Sequence, residues 1–478
     1  MFLDRIVQQT RLDLVQRKQE LPLEKLQQRA HEQAPPRNML EAFEPRSQVH
    51  LIAEVKRASP SKGMLAPDLD PVAIARVYEA SGASVISVLT EPHFFLGAPE
   101  YLTAIKNAVH VPVLRKDFIV DDYQVFEARA WGADALLLIC AILDDVQLQH
   151  LLQLANSLHM HALVEVHSRE EAQRALNAGA IIIGVNSRDL VTFKLNPYLI
   201  RDIRQIIPAD RVVVAESGIH TLADVRRLAR YDVQAMLVGE SLITSQDVTA
   251  QIHMLLEGAN EGTQVKICGL KAPEYIDAAV DAGADMLGFI FYKPSHRYIS
   301  PEQIPTILAA AQSYAQPAQG RVLPDLVGIF VNEDASYIND VVEQTGLHYV
   351  QLHGTEPPEF CQQINRPVLK ALPLKETTDS ELLRQYTSVT WRLLLDTPTS
   401  AWGGTGLTSD WDLARQVAHQ HKILLAGGLT VENVAQAIEQ VRPWGVDVSS
   451  GVETEKQKDT AKIRAFLERV RRSIVAAK

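Results

Sequence analysis

The chain alternates between helical stretches and short apolar strands. One phrase recurs, in which a helix ends in small residues around a glycine and a β-branched or leucine-rich run follows, as in RAWGADALLLI (129–139) and DAGADMLGFI (281–290). The glycine supplies the left-handed residue that ends a helix. Strands that are apolar at successive positions are typical of parallel sheets that helices cover on both faces. The pattern therefore predicts an α/β protein.

Eight strands are predicted in each half of the chain. They begin near residues 49, 84, 111, 134, 161, 181, 211 and 235, and then near 264, 285, 326, 347, 367, 391, 422 and 445. Helical patterns of roughly 10–15 residues separate them, as βα units require. Eight such units in each half indicate two fused (β/α)8 TIM barrels, each near the usual ~250 residues. A doubly wound open sheet is the alternative, but it usually has fewer strands.

A short polar segment, EGANEGTQ (257–264), separates the two halves. We therefore predict domains at 1–258 and 259–478. Residues 1–48 precede the first strand and predict extra N-terminal helices that cap the first barrel. Their opening, MFLDRIVQQTRLDLVQRKQE, is charged and amphipathic and lacks the apolar core of a signal peptide.

Composition narrows the class of protein. The length of 478 residues suits two domains, and 46% hydrophobic with 22% charged residues is globular. No run of 18 or more residues is apolar throughout, so we expect a cytoplasmic protein without a membrane partner. The net charge of −11 argues against a nucleic-acid partner, which needs a basic face. The negative net charge does not argue against small phosphorylated substrates, because a few local cations can bind them.

The cysteines predict neither a metal site nor a disulfide framework. Cys140, Cys268 and Cys361 have no metal-like spacing, and their number is odd. The chain also lacks a dinucleotide fingerprint, so no cofactor is expected. Fusion of two barrels can replace the dimerisation that stabilises some single barrels, so a monomer is expected.

Polar groups follow the predicted strands of the first half. In a TIM barrel, catalytic groups lie at the carboxyl ends of the strands. Six strands of this half end in charged or amide side chains or in polar glycine loops, namely Glu54 and Lys56, Lys116, Glu165, Asn186 and Arg188, Glu216 with Ser217 and Gly218, and Gly239 with Glu240 and Ser241. A lone residue of this kind is more often a solvated rim residue. Together they predict a pocket for acid–base chemistry, with phosphate at the glycine loops.

These motifs resemble a known family. Together they are similar to indole-3-glycerol phosphate synthase across all eight strands. The motifs are AEVKRASPSKG, LRKDFI, EVH, GVNSRDL, ESGI and VGESL. The family decarboxylates and closes the ring of 1-(2-carboxyphenylamino)-1-deoxyribulose 5-phosphate, releasing CO₂ and water. The resemblance implies that Lys116 protonates the ketone oxygen and that Lys56 lies near the substrate carboxylate. Loss of the hydroxyl as water needs an acid and a base among Lys56, Glu54 and Glu165, and their assignment stays open.

The same resemblance implies the groups that bind the substrate. They are Ser59, Asn186, Arg188 and Glu216 for orientation, Phe118 for the aryl ring, and the backbone of Ser217, Gly218, Gly239 and Glu240 for phosphate. The negative charge of Glu240 is unfavourable beside a phosphate, so we expect its side chain to point away.

The second half has its own set of groups at strand ends. They are Cys268 after strand 1, Arg297 after strand 2, Gln351 and His353 after strand 4, and Asp396 after strand 6. A cysteine is ordinarily a small buried hydrophobe, but Cys268 lies at a strand tip between Ile267 and Gly269. His353 alone is more often a hydrogen-bonding bystander, but within this set we predict that Gln351 and His353 bind substrate. Glycine- and serine-rich loops after strands 6, 7 and 8 could converge on one phosphate.

The motifs of this half resemble phosphoribosylanthranilate isomerase. They are KICG, PSHRYIS, QLHG, the aspartate followed by GGTG, AGGL and GVDVSSGVE. This family opens the ribose of N-(5′-phosphoribosyl)anthranilate by an Amadori rearrangement. The resemblance implies that Asp396 is the acid, that Cys268 is the base if its pKa is lowered, and that Arg297 holds the anthranilate carboxylate. The implied phosphate site comprises Gly403, Gly404, Thr405, Gly406, Gly427, Gly428, Ser449, Ser450 and Gly451. One departure is Ser409, where the family more often has phenylalanine.

Two other functions are alternatives to this interpretation. A different phosphosugar isomerase or aldolase would use Lys116 or Lys56 as a Schiff base. A sugar-phosphate sensor would need the phosphate loops but not Cys268, Asp396, Lys116 and Glu165 as well. Because the isomerase product is the synthase substrate, each resemblance supports the other.

Overall fold

The structure is a computed structural model that describes residues 2–45, 48–60, 62–189, 192–260, 262–318, 323–374, 380–397 and 410–476. The chain divides into two compact units after Asn260, two residues beyond the predicted boundary. Within the described residues, no helix combines the length and the apolar character needed to cross a bilayer.

The first unit is a closed barrel of eight parallel strands. The strands of this unit are β1 (His50–Val55), β2 (Ala58–Ser59), β3 (Gly63–Met64), β4 (Val85–Leu89), β5 (Val113–Lys116), β6 (Ala135–Ile139), β7 (His161–Val166), β8 (Ile182–Asn186), β9 (Val212–Glu216) and β10 (Ala235–Val238). The barrel order is β1-β10-β9-β8-β7-β6-β5-β4, and β4 pairs back with β1. The helices are α1 (Phe2–Glu20), α2 (Leu23–Glu32), α3 (Pro71–Ala80), α4 (Pro99–Ala108), α5 (Asp122–Ala130), α6 (Asp145–Ser157), α7 (Arg169–Asn177), α8 (Leu199–Arg204), α9 (Leu222–Arg230), α10 (Glu240–Ile243) and α11 (Val248–Asn260).

The second unit is also a closed eight-stranded barrel, in the order β11 to β18. Its strands are β11 (Gln264–Cys268), β12 (Met286–Ile290), β13 (Asp325–Phe330), β14 (Tyr349–Leu352), β15 (Val368–Pro373), β16 (Arg392–Asp396), β17 (Ile423–Leu425), β18 (Gly445–Val448), β19 (Glu453–Thr454) and β20 (Gln457–Lys458). Its helices are α12 (Pro273–Asp281), α13 (Gln303–Ala310), α14 (Gln312–Ala315), α15 (Ala335–Thr345), α16 (Pro358–Cys361), α17 (Ser380–Thr387), α18 (Trp411–Ala418), α19 (Val434–Val441) and α20 (Thr460–Ala476).

The prediction of two barrels is confirmed, and every predicted strand start lies within two residues of the observed one. The two short antiparallel pairs, β2 with β3 and β19 with β20, were not predicted. Each has only two residues per strand, which is too short for a periodic pattern to mark.

Side-chain alternation explains why polar groups collect at one end of each barrel. On β1, Leu51 and Ala53 pack outward against the helices, whereas Ile52 belongs to the cluster that fills the barrel interior. Because successive strand residues point to opposite faces, Glu54 follows Ile52 on the inner face. On β9, Glu216 follows Val214 in the same way. The interior therefore changes from apolar to charged toward the carboxyl ends of the strands.

The predicted N-terminal helices are present and pack on the first barrel. Leu14 of α1 and Leu26 of α2 form a buried cluster with Tyr123 and Phe126 of α5. Arg17 of α1 also forms an ion pair of 3.0 Å with the buried carboxylate of Glu127. These contacts fix α1 against the barrel, which matters because the start of α1 reaches the site described next.

Candidate active sites

One cavity at the mouth of the first barrel gathers the residues that the sequence singled out there. Its lining includes Glu54, Lys56, Ser59, Lys116, Phe118, Glu165, Asn186, Arg188, Glu216, Ser217, Gly218, Gly239, Glu240 and Ser241. Their convergence follows from closure of the barrel, which brings the ends of β1 and β5 to β10 around one opening.

Lys116 lies between two buried carboxylates in this cavity. Its Nζ is 2.7 Å from Oε2 of Glu165 and 2.8 Å from Oε2 of Glu216. Burial alone would lower the pKa of Lys116, but the carboxylates of Glu165, Glu216 and Glu54 raise it above its ordinary value. Lys116 is therefore an ammonium group at neutral pH and can donate a proton or a hydrogen bond.

Glu165 and Glu216 are both about 2% exposed, but their acidities differ. Burial opposes ionisation of Glu165, yet Lys116 and His167 hold its pKa well below the usual range. Asn186 adds a hydrogen bond from its Nδ2 to Oε1 of Glu165, at 3.1 Å. Burial raises the pKa of Glu216 to about 7, and the charge of Glu165 adds to the rise. The site thus holds an ionised carboxylate and a carboxyl group that can carry a proton near neutral pH.

Glu54 and Lys56 form a second pair across the cavity. Lys56 Nζ lies 2.6 Å from Glu54 Oε1, and the Glu54 side chain is 4% exposed. Gly239 makes room for this carboxylate, because a Cβ at that position would lie 2.6 Å from Glu54 Oε1. Gly239 therefore leaves the space that the Glu54 side chain occupies, in addition to forming the loop after β10.

The apolar wall of the cavity is larger than the sequence indicated. Phe118 lines it as expected, together with Phe2, Leu3 and Ile6 of α1 and with Phe95, Leu137, Ile139 and Phe193. Phe2 meets the rings of Phe94 and Phe193 edge-on, with centroids 5.4 Å apart in each pair. The strand-end pattern does not predict the α1 residues, because α1 precedes the first strand. The available signal was the apolar opening MFLDRI, which precedes a charged helix.

The loops after β9 and β10 lie where a phosphate was predicted. Ser217 and Gly218 both have positive φ, at 67° and 72°, and line the cavity with Gly239. The orientation of Glu240 relative to a bound phosphate stays a prediction. Its carboxylate lies 3.8 Å from Lys62 Nζ and 3.8 Å from Arg188 Nη2.

A second cavity, at the mouth of the second barrel, gathers most of the residues predicted there. Its lining includes Cys268, Arg297, Gln351, His353, Asp396, Gly427, Gly428, Ser449 and Ser450. Five positions named above lie outside the described residues, namely Gly403, Gly404, Thr405, Gly406 and Ser409. Gly451 is not among the residues that line this cavity, and a Cβ at this position would collide with the backbone carbonyl oxygen of Leu429. The absence of a side chain at Gly451 therefore lets the loops after β17 and β18 approach closely.

Asp396 and Cys268 face the second cavity from β16 and β11. Asp396 Oδ2 lies 3.4 Å from His353 Nε2, and His353 Nδ1 lies 2.8 Å from Gln351 Nε2. His353 and Gln351 thus form a chain of contacts to the proposed acid, as positioning groups. This gives His353 a structural context that its sequence position lacked.

Cys268 differs from the expectation of a lowered pKa. The residue is 5% exposed, and burial raises the pKa of its thiol. Lys266 and Lys458 oppose that rise, whereas Asp447 adds to it. Local sequence did not reveal this balance, because Asp447 and Lys458 are remote in the chain.

Arg297 already has a carboxylate partner. Its Nε and Nη2 lie 2.6 Å and 2.9 Å from the two carboxylate oxygens of Glu453, which begins the short strand β19. Arg297 and Lys458 hold the pKa of Glu453 at about 2, against the effect of burial. Two of the guanidinium donors are therefore fixed, which orients Arg297 at the cavity edge.

Metal ligation finds no support in the described parts of the chain. Among those residues, no group of three or more His, Cys, Asp or Glu side chains is arranged to hold a metal ion.

Comparison with known proteins assigns each barrel. A family model described as indole-3-glycerol phosphate synthase matches residues 3–255, and one described as N-(5′-phosphoribosyl)anthranilate isomerase matches residues 265–469. The chain belongs to both families. The synthase barrel therefore precedes the isomerase barrel in the chain.

Relatives include proteins with both barrels and proteins with one. The tryptophan biosynthesis protein TrpCF of Vibrio parahaemolyticus is 37% identical, over 88% of this chain and 84% of that protein. The indole-3-glycerol phosphate synthase of Dehalococcoides mccartyi is 50% identical over 54% of this chain and all of that protein. The multifunctional tryptophan biosynthesis protein of Phycomyces blakesleeanus is 36% identical over 88% of this chain. The chain spans 62% of that protein's length, and it spans 59% and 62% of two further multifunctional tryptophan biosynthesis proteins, from Schizosaccharomyces pombe and Phanerodontia chrysosporium.

Proposed function

We propose that the chain catalyses two successive steps of tryptophan biosynthesis. The isomerase barrel converts N-(5′-phosphoribosyl)anthranilate into 1-(2-carboxyphenylamino)-1-deoxyribulose 5-phosphate, and the synthase barrel converts that product into indole-3-glycerol phosphate, CO₂ and water. The observation that carries the proposal is the position of Lys116, an ammonium group between two buried carboxylates beside an aromatic wall. This arrangement suits ring closure of a substrate with an aryl group and a ketone.

In the synthase barrel, Lys116 donates a proton to the ketone oxygen as the aryl carbon attacks. The apolar wall with Phe2 and Phe118 holds the aryl ring, and Lys56 lies where it can face the substrate carboxylate. Loss of CO₂ restores the aromatic ring, and a hydroxyl then leaves as water. The carboxyl group of Glu216, with its pKa near 7, adds a fourth candidate to Glu54, Lys56 and Glu165 for this last proton transfer.

In the isomerase barrel, Asp396 protonates the furanose ring oxygen as the ribose opens. Cys268 then removes the proton from C2′, which moves the double bond and yields the ketone after tautomerisation. Gly427, Gly428, Ser449 and Ser450 line the side of the cavity proposed for phosphate. Neither step needs a metal or a cofactor.

The Schiff-base alternative is less compatible with the site. An amine that attacks a carbonyl must be neutral, and such lysines have lowered pKa values. The three carboxylates around Lys116 raise its pKa instead. Borohydride treatment in the presence of substrate tests this point, since trapping of Lys116 would contradict the proposed role as acid.

We also propose the setting in which the chain works. It acts in the cytoplasm, as a monomer, on small phosphorylated substrates and without a nucleic-acid or membrane partner. Light scattering of the purified chain checks the monomer, and cell fractionation checks the location.

A fluorescence time course tests the two activities together. N-(5′-phosphoribosyl)anthranilate is generated in place and the purified chain is added without metal. We expect loss of anthranilate-type emission, followed by indole-type emission. Cys268→Ala and Asp396→Asn should each abolish the first change while the supplied carboxyphenylamino intermediate still yields indole. An isomerase that tolerated both substitutions, or a chain that never yielded indole from the supplied intermediate, would contradict the corresponding half of the proposal.

A further inference from the structure

Cys268 needs help to act as a base, because only the thiolate can accept the substrate proton. The thiol lies in a buried position where desolvation raises its pKa. The carboxylate of Asp447, on the neighbouring strand β18, raises it further. A group that stabilises negative charge on sulfur is therefore required beside the thiol.

Lys266 is placed to be that group. It lies two residues before Cys268 on β11, so both side chains project to the same face of the strand. Its side chain is 0% exposed, and its Nζ lies 2.9 Å from Oδ1 of Asp447. The charge of this ammonium group opposes the rise in the pKa of the Cys268 thiol. Lys266 is therefore fixed by Asp447 on the face of β11 that carries the thiol.

The charges around the thiol leave a surplus of one positive charge. The charged groups that act on Cys268 are Lys266, Asp447, Lys458 and Arg297, and Glu453 pairs with both Lys458 and Arg297. His296, 3.9 Å from Glu453, is left out of the count because burial lowers its pKa. Three cations thus face two carboxylates, and a thiolate makes this cluster neutral. The other titratable groups on the cavity wall are Asp396 and His353, which lie 3.4 Å apart, together with His296 and Lys456.

We propose that Lys266 is a positioning residue of the isomerase barrel, whose buried ammonium group, held by Asp447, stabilises the thiolate form of Cys268. This inference rests on the proposed function, in which Cys268 is the base. Lys266 acts through Cys268 rather than on the substrate, because its side chain has no exposed surface. The carboxylate of Asp447 raises the pKa of the thiol, but it also holds the ammonium group of Lys266 in position.

The reactivity of the Cys268 thiol tests the inference in the full chain, without any substrate. Iodoacetamide alkylation is followed by mass spectrometry of the Cys268 peptide across pH, since the rate follows the thiolate fraction. Lys266→Met should raise the midpoint by one unit or more and slow alkylation at neutral pH about tenfold. Lys266→Arg should restore most of the rate. Asp447→Asn should shift the midpoint in the opposite direction, which a merely structural role would not produce.

Controls for this experiment lie within the same chain. Cys140 and Cys361 are also buried, so a rise in their alkylation reports a disturbed fold rather than a changed charge. Lys370 forms a matched buried pair with Glu356, at 2.8 Å and 1% exposure, on another strand of the same barrel. Lys370→Met should leave the Cys268 midpoint unchanged.

The outcomes separate this inference from the proposed function. A folded Lys266→Met chain with an unchanged Cys268 midpoint overturns the role of Lys266. If that variant does not fold, the double variant Lys266→Met/Asp447→Asn is compared with Asp447→Asn alone. Equal midpoints of Cys268 alkylation in these two chains also overturn the role of Lys266. Isomerase activity that survives in Cys268→Ala would instead overturn the base assignment, whatever Lys266 does to the thiol.

Discussion

The Nζ of Lys116 lies 2.7 Å from Oε2 of Glu165, and the two residues come from different strands of the first barrel. Each lies at the carboxyl end of its strand, with β6 between β5 and β7 in the barrel order. The pair keeps Lys116 protonated and Glu165 ionised, so each group is ready for a different proton transfer.

Removal of this ammonium group should disable one barrel only. In Lys116→Met, the ketone loses its proton donor, and we expect synthase kcat to fall about 10²–10⁴-fold, the usual contribution of general acid catalysis. Indole emission from the supplied carboxyphenylamino intermediate measures the loss. Isomerase activity of the same sample is the control and should stay unchanged. Ring closure near the normal rate would refute the role of Lys116 as acid.

The start of α1 should contribute to binding of the aryl substrate. Phe2 lines the synthase cavity and meets two other rings edge-on, contacts worth about 0.5–1.5 kcal/mol each. We expect Phe2→Ala to raise the synthase KM roughly 2–12-fold for one such contact, with a smaller effect on kcat. Steady-state kinetics on the intermediate check this, and Phe2→Leu, which keeps an apolar side chain, should lose less. Equal KM values in all three chains would exclude a binding role for α1.

Gly451 should be intolerant of any side chain. A Cβ there collides with the backbone carbonyl of Leu429, which cannot move aside as a flexible side chain would. We expect Gly451→Ala to displace the loops after β17 and β18 and to raise the isomerase KM about tenfold, equivalent to ~1.4 kcal/mol. The matched control is Gly283→Ala, at a φ of 82° with open space around the Cβ. That variant should lose about 1 kcal/mol of stability and keep its KM. A normal KM in Gly451→Ala would contradict the packing argument.

His167 should make the stability of the first barrel depend on pH. Its ring nitrogens lie 3.3 Å from Glu165 and 3.3 Å from Glu171. Burial opposes its charge, but these carboxylates raise its pKa from 6.5 to about 10. The folded state therefore holds the proton more tightly, so this stabilisation is complete below pH 6.5 and is lost as pH rises through 10.

The measurement compares the wild-type chain with His167→Gln by urea unfolding at pH 6 and at pH 10.5, followed by circular dichroism. We expect the wild type to be more stable at pH 6, by on the order of 3 kcal/mol, and this advantage to shrink at pH 10.5. An advantage of the same size at both pH values would show that His167 is not held as a cation.

Much of this protein follows from local sequence, because strand periodicity and the change from apolar to polar residues are local properties. They located the sixteen strand starts and placed Glu54, Lys116, Glu165 and Cys268 at strand ends. The pattern at strand ends does not predict Phe2, because Phe2 reaches the synthase cavity from α1.

The sequence by itself therefore determined the two barrels, their boundary region and the candidate residues at their mouths. Only the tertiary structure decided which of those residues meet and how each is charged. Lys116 gains Glu165 and Glu216 as partners only when the barrel closes, and Cys268 meets Asp447 only when β11 pairs with β18. The physical reason is that pKa values depend on burial and on charges within a few ångströms, and those neighbours are remote in the chain.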